Sequence, residues 1–392
     1  MKLTKCIMTK EVVNEIVELF ERLNNLTRWP SFTGDRRYNQ LNKLALENVI
    51  CYMIAEEQRH HGIAIDLREF PKIALRKAFK RSLAANIPRS LEEWICKHPE
   101  IDIEKNDFYT ATADYVCGID KEFADFLFKN VKKGIEAQIY SFASELASYI
   151  ELLSLKNQTN REDLFMMEIK NKIDKIHQFT YLYGYDRFSN LESPEFKLWQ
   201  EIAYLRNQSR WMLYSRAVEC SVLGHLFDTG VIAYAMTLEE NPKDEELAAR
   251  MFFMGLLHDV SETWTTDIPS PYKELVRGLR EASERYESEM IKKNIYDVLP
   301  DYMAKAIKAV MFEEPQNEGY FKLVKGADYI SADTECLRNY NSGTRDYHFY
   351  NAVRSNSPKI ESGYLKVSPI WREKHLEILK KMETIKKGLK DC

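Results

Sequence analysis

Two histidines and three carboxylates in the second half of the chain have the types and spacing of a metal-centred site. The segment MFFMGLLHDVSETWTTDIP (251–269) runs an apolar helix face into His258 and Asp259, with Glu262 following. Helical i,i+4 spacing predicts that His258 and Glu262 share one face, with Asp259 turned about 100° toward its edge. An imidazole and the adjacent carboxylate can both reach one cation from such a helix end. Glu262, one turn on, suits a water beside that cation as general base or proton relay, and burial there would raise its pKa toward the working pH. An adjacent His-Asp pair is weak evidence alone, because a terminal histidine commonly caps helix carbonyls. Two other elements sharpen it. SVLGHLFDTGVIAYAM (221–236) places His225 in an apolar helical run, and LVKGADYISADTE (323–335) places Asp328 in another. A buried carboxylate costs several kcal/mol unless a cation or donors receive it. His225, His258, Asp259 and Asp328 together form a two-nitrogen, two-oxygen set suited to Mn, Fe, Co, Zn or Ni, with coordination positions left for water and a substrate oxygen.

The H…HD…D order resembles the signature of the HD-domain superfamily of metal-dependent phosphohydrolases. Within it the chain is most similar to the bacterial 5′-deoxynucleotidases, over about residues 205–338. In that family an Arg-Trp pair precedes the first metal histidine, as Arg210-Trp211 precedes His225 here. The family's HD-x-x-E is matched by His258, Asp259 and Glu262. Its T-G-D-[IL]-P-[TS]-P-x-K is matched by Thr265, Thr266, Asp267, Ile268, Pro269, Ser270, Pro271 and Lys273, and its final A-D by Ala327-Asp328. The resemblance implies that His225, His258, Asp259 and Asp328 hold one divalent transition metal. It also implies that Glu262 and Asp267 position and activate the attacking water. Arg210 would clamp the phosphate with its forked donors, Trp211 would lie against the sugar, and Lys273 is a further candidate for phosphate contact. The implied substrate is a deoxyribonucleoside 5′-monophosphate.

This sequence departs from the family at three points. Gly224 stands where the family has an acidic residue before the first histidine. Thr266 stands where it often has glycine, and the first half has no counterpart in short single-domain members. Two rival readings follow. A dNTP triphosphohydrolase needs several cations along a polyphosphate, and few bases besides Arg210, Lys273, Arg277 and Lys325 lie near the motifs. A non-catalytic nucleotide-binding or interaction protein would have kept the fold without turnover, which the complete ligand set argues against.

The elements that must position these residues are helices. Glycine (14) and proline (12) are sparse among 392 residues. Apolar residues recur at three- and four-residue spacing over Val12–Leu23, Ala124–Leu155, Glu245–Leu257 and Tyr302–Phe312. Hairpin signals are nearly absent, so the expected fold is all-α, with an HD-type catalytic domain over 196–392 and a helical domain over 1–185. The break falls at DRFSNLESPEF. A net charge of −4 argues against binding nucleic-acid polymers. Seven scattered cysteines without a C-x-x-C pair exclude a disulfide framework and fit a reducing cytoplasm. No run of about 18 apolar residues offers a membrane span. There is neither a Walker loop nor a nucleophile elbow. His60-His61 reads as a solvated pair, and His348 as a residue near the site region.

The halves show faint self-similarity. Arg28-Trp29 echoes Arg210-Trp211, and residues 74–90 can be laid on 255–271. ATADYV (111–116) resembles VKGADYI (324–330), setting Asp114 opposite Asp328. Opposite His258-Asp259 stand Lys77-Ala78, and opposite His225 stands Lys43 or Leu44. A protonated lysine has no lone pair for a metal, so the first half reads as a degenerate HD-like repeat without ligands. The chain would then be a monomer with an internal pseudo-dimer, or else a homodimer. Elemental analysis of the purified protein is expected to find about one equivalent of a divalent transition metal, reduced in an Asp259→Ala variant.

Overall fold

The computed structural model describes residues 7–388, apart from 86, 88–90, 92–93, 96, 99, 101–104, 130, 132–133, 267, 269 and 312–316. The helices are α1 (Lys10–Asn25), α2 (Gln40–His60), α3 (Glu69–Ala84), α4 (Lys105–Ile119), α5 (Lys121–Phe128), α6 (Ile135–Leu155), α7 (Glu162–Ile176), α8 (Tyr185–Phe188) and α9 (Pro194–Ala203). They continue as α10 (Val222–Glu240), α11 (Glu245–Leu257), α12 (Glu262–Thr265), α13 (Ser270–Leu275), α14 (Leu279–Ile291), α15 (Asp301–Lys308), α16 (Glu318–Asn341), α17 (Tyr347–Glu361) and α18 (Pro369–Gly388). Among the described residues there is no strand, only two isolated bridges. The fold is all-α. No helix among the described residues is long and apolar enough to cross a membrane.

Two helices that are buried nearly all round, α2 and α10, form the centre. Each starts on a side-chain cap. Asn39 accepts from Asn42 N at 2.9 Å, and Ser221 accepts from Gly224 N at 3.1 Å. α2 packs on α3 and α6, α10 packs on α11 and α16, and α2 meets α10 directly. One hydrophobic core therefore runs through both halves, from Val12 and Phe20 to Trp371. The connecting segment around residue 190 is part of it, with Phe188 and Phe196 fully buried. The helical run expected over Ala124–Leu155 is two helices, because the chain turns after Phe128 and restarts at the Gly134 cap.

Glycine sets the closest approach in the C-terminal half. A Cβ on Gly255 of α11 would stand 2.8 Å from Gly230 Cα and 2.9 Å from Thr229 O on α10. The two backbones nearly touch, which brings the helix carrying His225 to the helix end carrying His258. At the far side Asp333 of α16 accepts from His375 Nδ1 at 2.6 Å, and His375 Nε2 meets Ser357 Oγ at 2.8 Å. That buried chain ties α16, α17 and α18 together. Gly255→Ala is expected to destabilise the protein by about 1–3 kcal/mol, since the backbones must part to admit a methyl. Denaturant unfolding measures this, and an unchanged midpoint would refute it.

Candidate metal centre

His225 sits in the first turns of α10, His258 caps the end of α11, Asp259 follows it, and Asp328 lies mid-way along α16. The structure brings these four together: one ligand atom from each lies within 4.8 Å of all the others. The expected continuous helix through Glu262 is interrupted, since α11 ends at Leu257 and a turn over 258–261 precedes α12. Glu262 therefore opens a new helix, its amide bonded to Asp259 O at 3.1 Å and its carboxylate partly buried. Gln208 Nε2 donates to Glu262 O at 2.7 Å, fastening this turn to the Arg-Trp segment.

Both imidazoles are oriented from behind. His258 Nδ1 bonds Gly255 O at 2.7 Å, so the carbonyl fixes Nδ1 as the protonated nitrogen and turns Nε2 toward the carboxylates. His225 Nδ1 meets Ser331 Oγ at 2.9 Å and Glu335 Oε1 at 3.3 Å, while its Nε2 faces Asp328 Oδ1 at 2.9 Å. Both rings are fully buried, and the two aspartates retain partial exposure. Burial opposes charge on His258, yet Asp259 and Asp328 beside it raise its pKa to about 10. Burial likewise disfavours ionised Asp259, but His258 and Lys325 hold it well below the usual carboxylate range. The pocket thus strongly favours positive charge. Two imidazole Nε2 atoms and two carboxylates fit a divalent transition metal, whose binding would displace the His258 proton.

Sequence reasoning missed one residue. Glu335, two helical turns beyond Asp328, accepts Arg210 Nε at 2.9 Å and Trp211 Nε1 at 2.7 Å besides facing His225. Burial pushes its pKa up, but Arg210 and His225 prevail and bring it down to about 2. The signal was a carboxylate seven residues from Asp328 on the same helix face. Lys325, one turn before Asp328, reaches Asp328 Oδ2 at 3.1 Å. Trp211 takes the left-handed backbone conformation, φ 62°, which a bulky residue adopts only when held there. Thr266 does the same at φ 61°, which explains why glycine suits that position. Lys273 Nζ is paired with Glu287 Oε1 at 3.2 Å, and Asp267 lies outside the described residues.

The same construction recurs in the N-terminal half. Arg28 Nε donates to Glu151 Oε2 at 2.8 Å, and Trp29 Nε1 to the same oxygen at 2.9 Å, with Trp29 at φ 55°. Arg28 N bonds Tyr38 O at 2.6 Å as Arg210 N bonds Cys220 O at 2.7 Å, and the bridges Thr27–Asn39 and Ser209–Ser221 correspond. Counted from these bonds, Lys43 stands where His225 does. Its Nζ meets Ser144 Oγ at 2.9 Å and Glu47 Oε1 at 3.3 Å, and Lys77 joins both partners. Asp114 is not the counterpart of Asp328. It is exposed on α4, and Ser144 of α6 occupies the equivalent place, because α6 packs on α2 as α16 packs on α10. A Cβ at Gly224 would lie 3.0 Å from Leu41 and 3.1 Å from Asn42, so α2 occupies the space a side chain there would need.

Residues 197–370 match the family model described as "5'-deoxynucleotidase YfbR-like". The C-terminal half is thus similar to that family. It is similar to a 5'-deoxynucleotidase of Klebsiella pneumoniae subsp. pneumoniae, at 24% identity over 148 residues covering 37% of this chain and 74% of the relative. It also resembles "5'-deoxynucleotidase yfbR" of Photorhabdus temperata, 23% identical over 153 residues, or 38% and 77% of the two chains. A 5'-deoxynucleotidase of Photobacterium profundum is 25% identical over 140 residues, or 35% and 72%. No solved structure matches. These similarities support an HD-type hydrolase in the C-terminal half. Glu335→Gln is expected to weaken metal binding by about 10–100-fold and to lower stability by about 3 kcal/mol, because Arg210 loses its buried partner. Metal titration and chemical unfolding measure the two effects, and a variant unchanged in both would exclude the orienting role.

Proposed function

We propose that this protein releases phosphate from deoxyribonucleoside 5′-monophosphates at the His225, His258, Asp259 and Asp328 centre. The observation that carries the reading is the convergence of these four donors to within 4.8 Å, inside a YfbR-like segment. A divalent transition metal held there supplies Lewis acidity toward the phosphate and lowers the pKa of a water. The native ion is one of Mn, Co, Fe, Zn or Ni.

The chain's own groups then divide the work. Glu262, at the start of α12 beside Asp259, receives the proton of the attacking water, with Asp267 as its partner in positioning that water. Arg210, with its Nε on Glu335, is the guanidinium that meets the phosphate. Trp211, fixed by the same carboxylate, lays its ring against the sugar. Lys325 adds a second cation next to Asp328, and Lys273 reaches the phosphate only by leaving Glu287.

The N-terminal half (1–185) is on this reading a metal-free copy of the catalytic domain (196–392), standing in for a second subunit within one chain. The matching Arg-Trp-Glu bonds support it, as does the lysine pair in the place of the ligands. The protein then works as a monomer in the cytoplasm, with a nucleotide as its partner and neither nucleic-acid polymer nor membrane.

Phosphate release is measured with dAMP, AMP and dATP in Mn²⁺ or Co²⁺. Turnover of dAMP with phosphate as product is expected, falling to background in Asp259→Ala. Triphosphate released from dATP would replace this reading with a triphosphohydrolase. Nucleotide binding without turnover in any metal would replace it with a non-catalytic binder. Light scattering is expected to show a monomer, and a dimer formed through the C-terminal half would refute the pseudo-subunit.

A further inference from the structure

A polar cleft of about 300 Å³ lies where the two halves meet, at the low end of the range of small-molecule pockets. Its walls come from corresponding positions: Thr27 with Ser209, Asn39 with Ser221, Arg36 with Val218. It therefore sits on the internal two-fold relation, and none of the four metal-centre residues lines it. The correspondence breaks in charge. Three arginines, 36, 37 and 206, line the cleft against the single carboxylate of Glu219 among the described lining residues. Glu219 itself is engaged with Arg216 at 3.7 Å, and Arg37 with Asp35.

Arg206 is the decisive group. Its residue is 3% exposed, its Nε donates to Ala203 O at 2.7 Å, and its guanidinium lies 4.8 Å over the Tyr38 ring. Its buried Nη1 has no hydrogen-bond partner, the nearest carboxylate oxygen being Glu151 Oε1 at 4.0 Å. A buried guanidinium nitrogen without an acceptor is costly. Arg36, exposed at the rim, makes no side-chain ion pair among the described residues. An anion in the cleft would meet Arg36 and lie against Arg37 and Arg206, which line it, and a guanidinium fork suits a phosphate above other anions. We infer that this cleft binds a small phosphate-bearing anion, of nucleotide size or smaller, at a site separate from the metal centre.

Equilibrium dialysis of the full-length, EDTA-treated protein against radiolabelled dAMP, with unlabelled inorganic phosphate or deoxyadenosine as competitor, tests this. A saturable site is expected that survives Arg210→Ala and is displaced by phosphate but not by deoxyadenosine. The double variant Arg36→Ala/Arg37→Ala should weaken it at least tenfold. Val218→Trp, which fills the cleft from the opposite wall, should do the same with the arginines intact. Circular dichroism confirms that both variants remain folded. Absence of saturable binding overturns the inference, as do indifference to both cleft variants, loss in Arg210→Ala, and displacement by deoxyadenosine. A failure of the phosphohydrolase reading would instead appear as absent phosphate release and leave this binding unchanged.

Discussion

The carboxylate of Glu335 is the point on which the candidate site depends. It is fully buried and takes up Arg210 Nε, Trp211 Nε1 and the back of His225 at once. A buried carboxylate with such partners is held in place by the cost of leaving any of them unsatisfied. One group thus sets the direction of an imidazole that faces the centre, the guanidinium beside it and an indole in a strained backbone conformation. Burial would otherwise keep Glu335 neutral, and the surrounding cations reverse that. The Arg-Trp pair and the candidate ligand His225 are in this way joined through one side chain.

The first half repeats the scaffold and changes the charges. Glu151 receives Arg28 and Trp29 by the same atoms, yet Lys43, Lys77, Glu47 and Ser144 occupy the region that corresponds to the candidate metal centre. Burial lowers the Lys43 pKa. Glu47 is drawn down to about 2 in spite of its own burial, chiefly by Lys43 and Lys77. A lysine–carboxylate cluster occupies that pocket, with both lysines bonded to Glu47 and Ser144. The shared frame keeps α2 and α10 together as the centre of a single core. Gly224 records the contact, since a side chain there would meet Leu41 and Asn42 of the other half.

Much of the site was legible before any coordinates. His225, His258, Asp259 and Asp328 stood out because their residue types are costly in apolar helices without a cation to receive them. The all-α class was legible from periodicity and from the scarcity of turn residues. The interruption after Leu257 was not, because Ser261 and Glu262 are compatible with either a continuing helix or a turn. Asp114 was misaligned because a shared Ala-Asp-Tyr triplet outweighed the packing of α6, which no local pattern encodes. Glu335 went unremarked, since helix spacing tells that it shares a face with Asp328 but not what lies opposite.

By itself the sequence determined the all-α class, and it marked the four candidate donor residues and the lysines that stand opposite two of them in the first half. These are consequences of side-chain chemistry and of the 3.6-residue period, which act locally. Only the tertiary structure decided that α10, α11 and α16 meet at one point and that Ser144 answers to Asp328. It also decided that three arginines collect in a cleft between the halves. Those facts depend on which backbones can approach, as at Gly230 and Gly255, and on burial across residues more than a hundred positions apart in the chain.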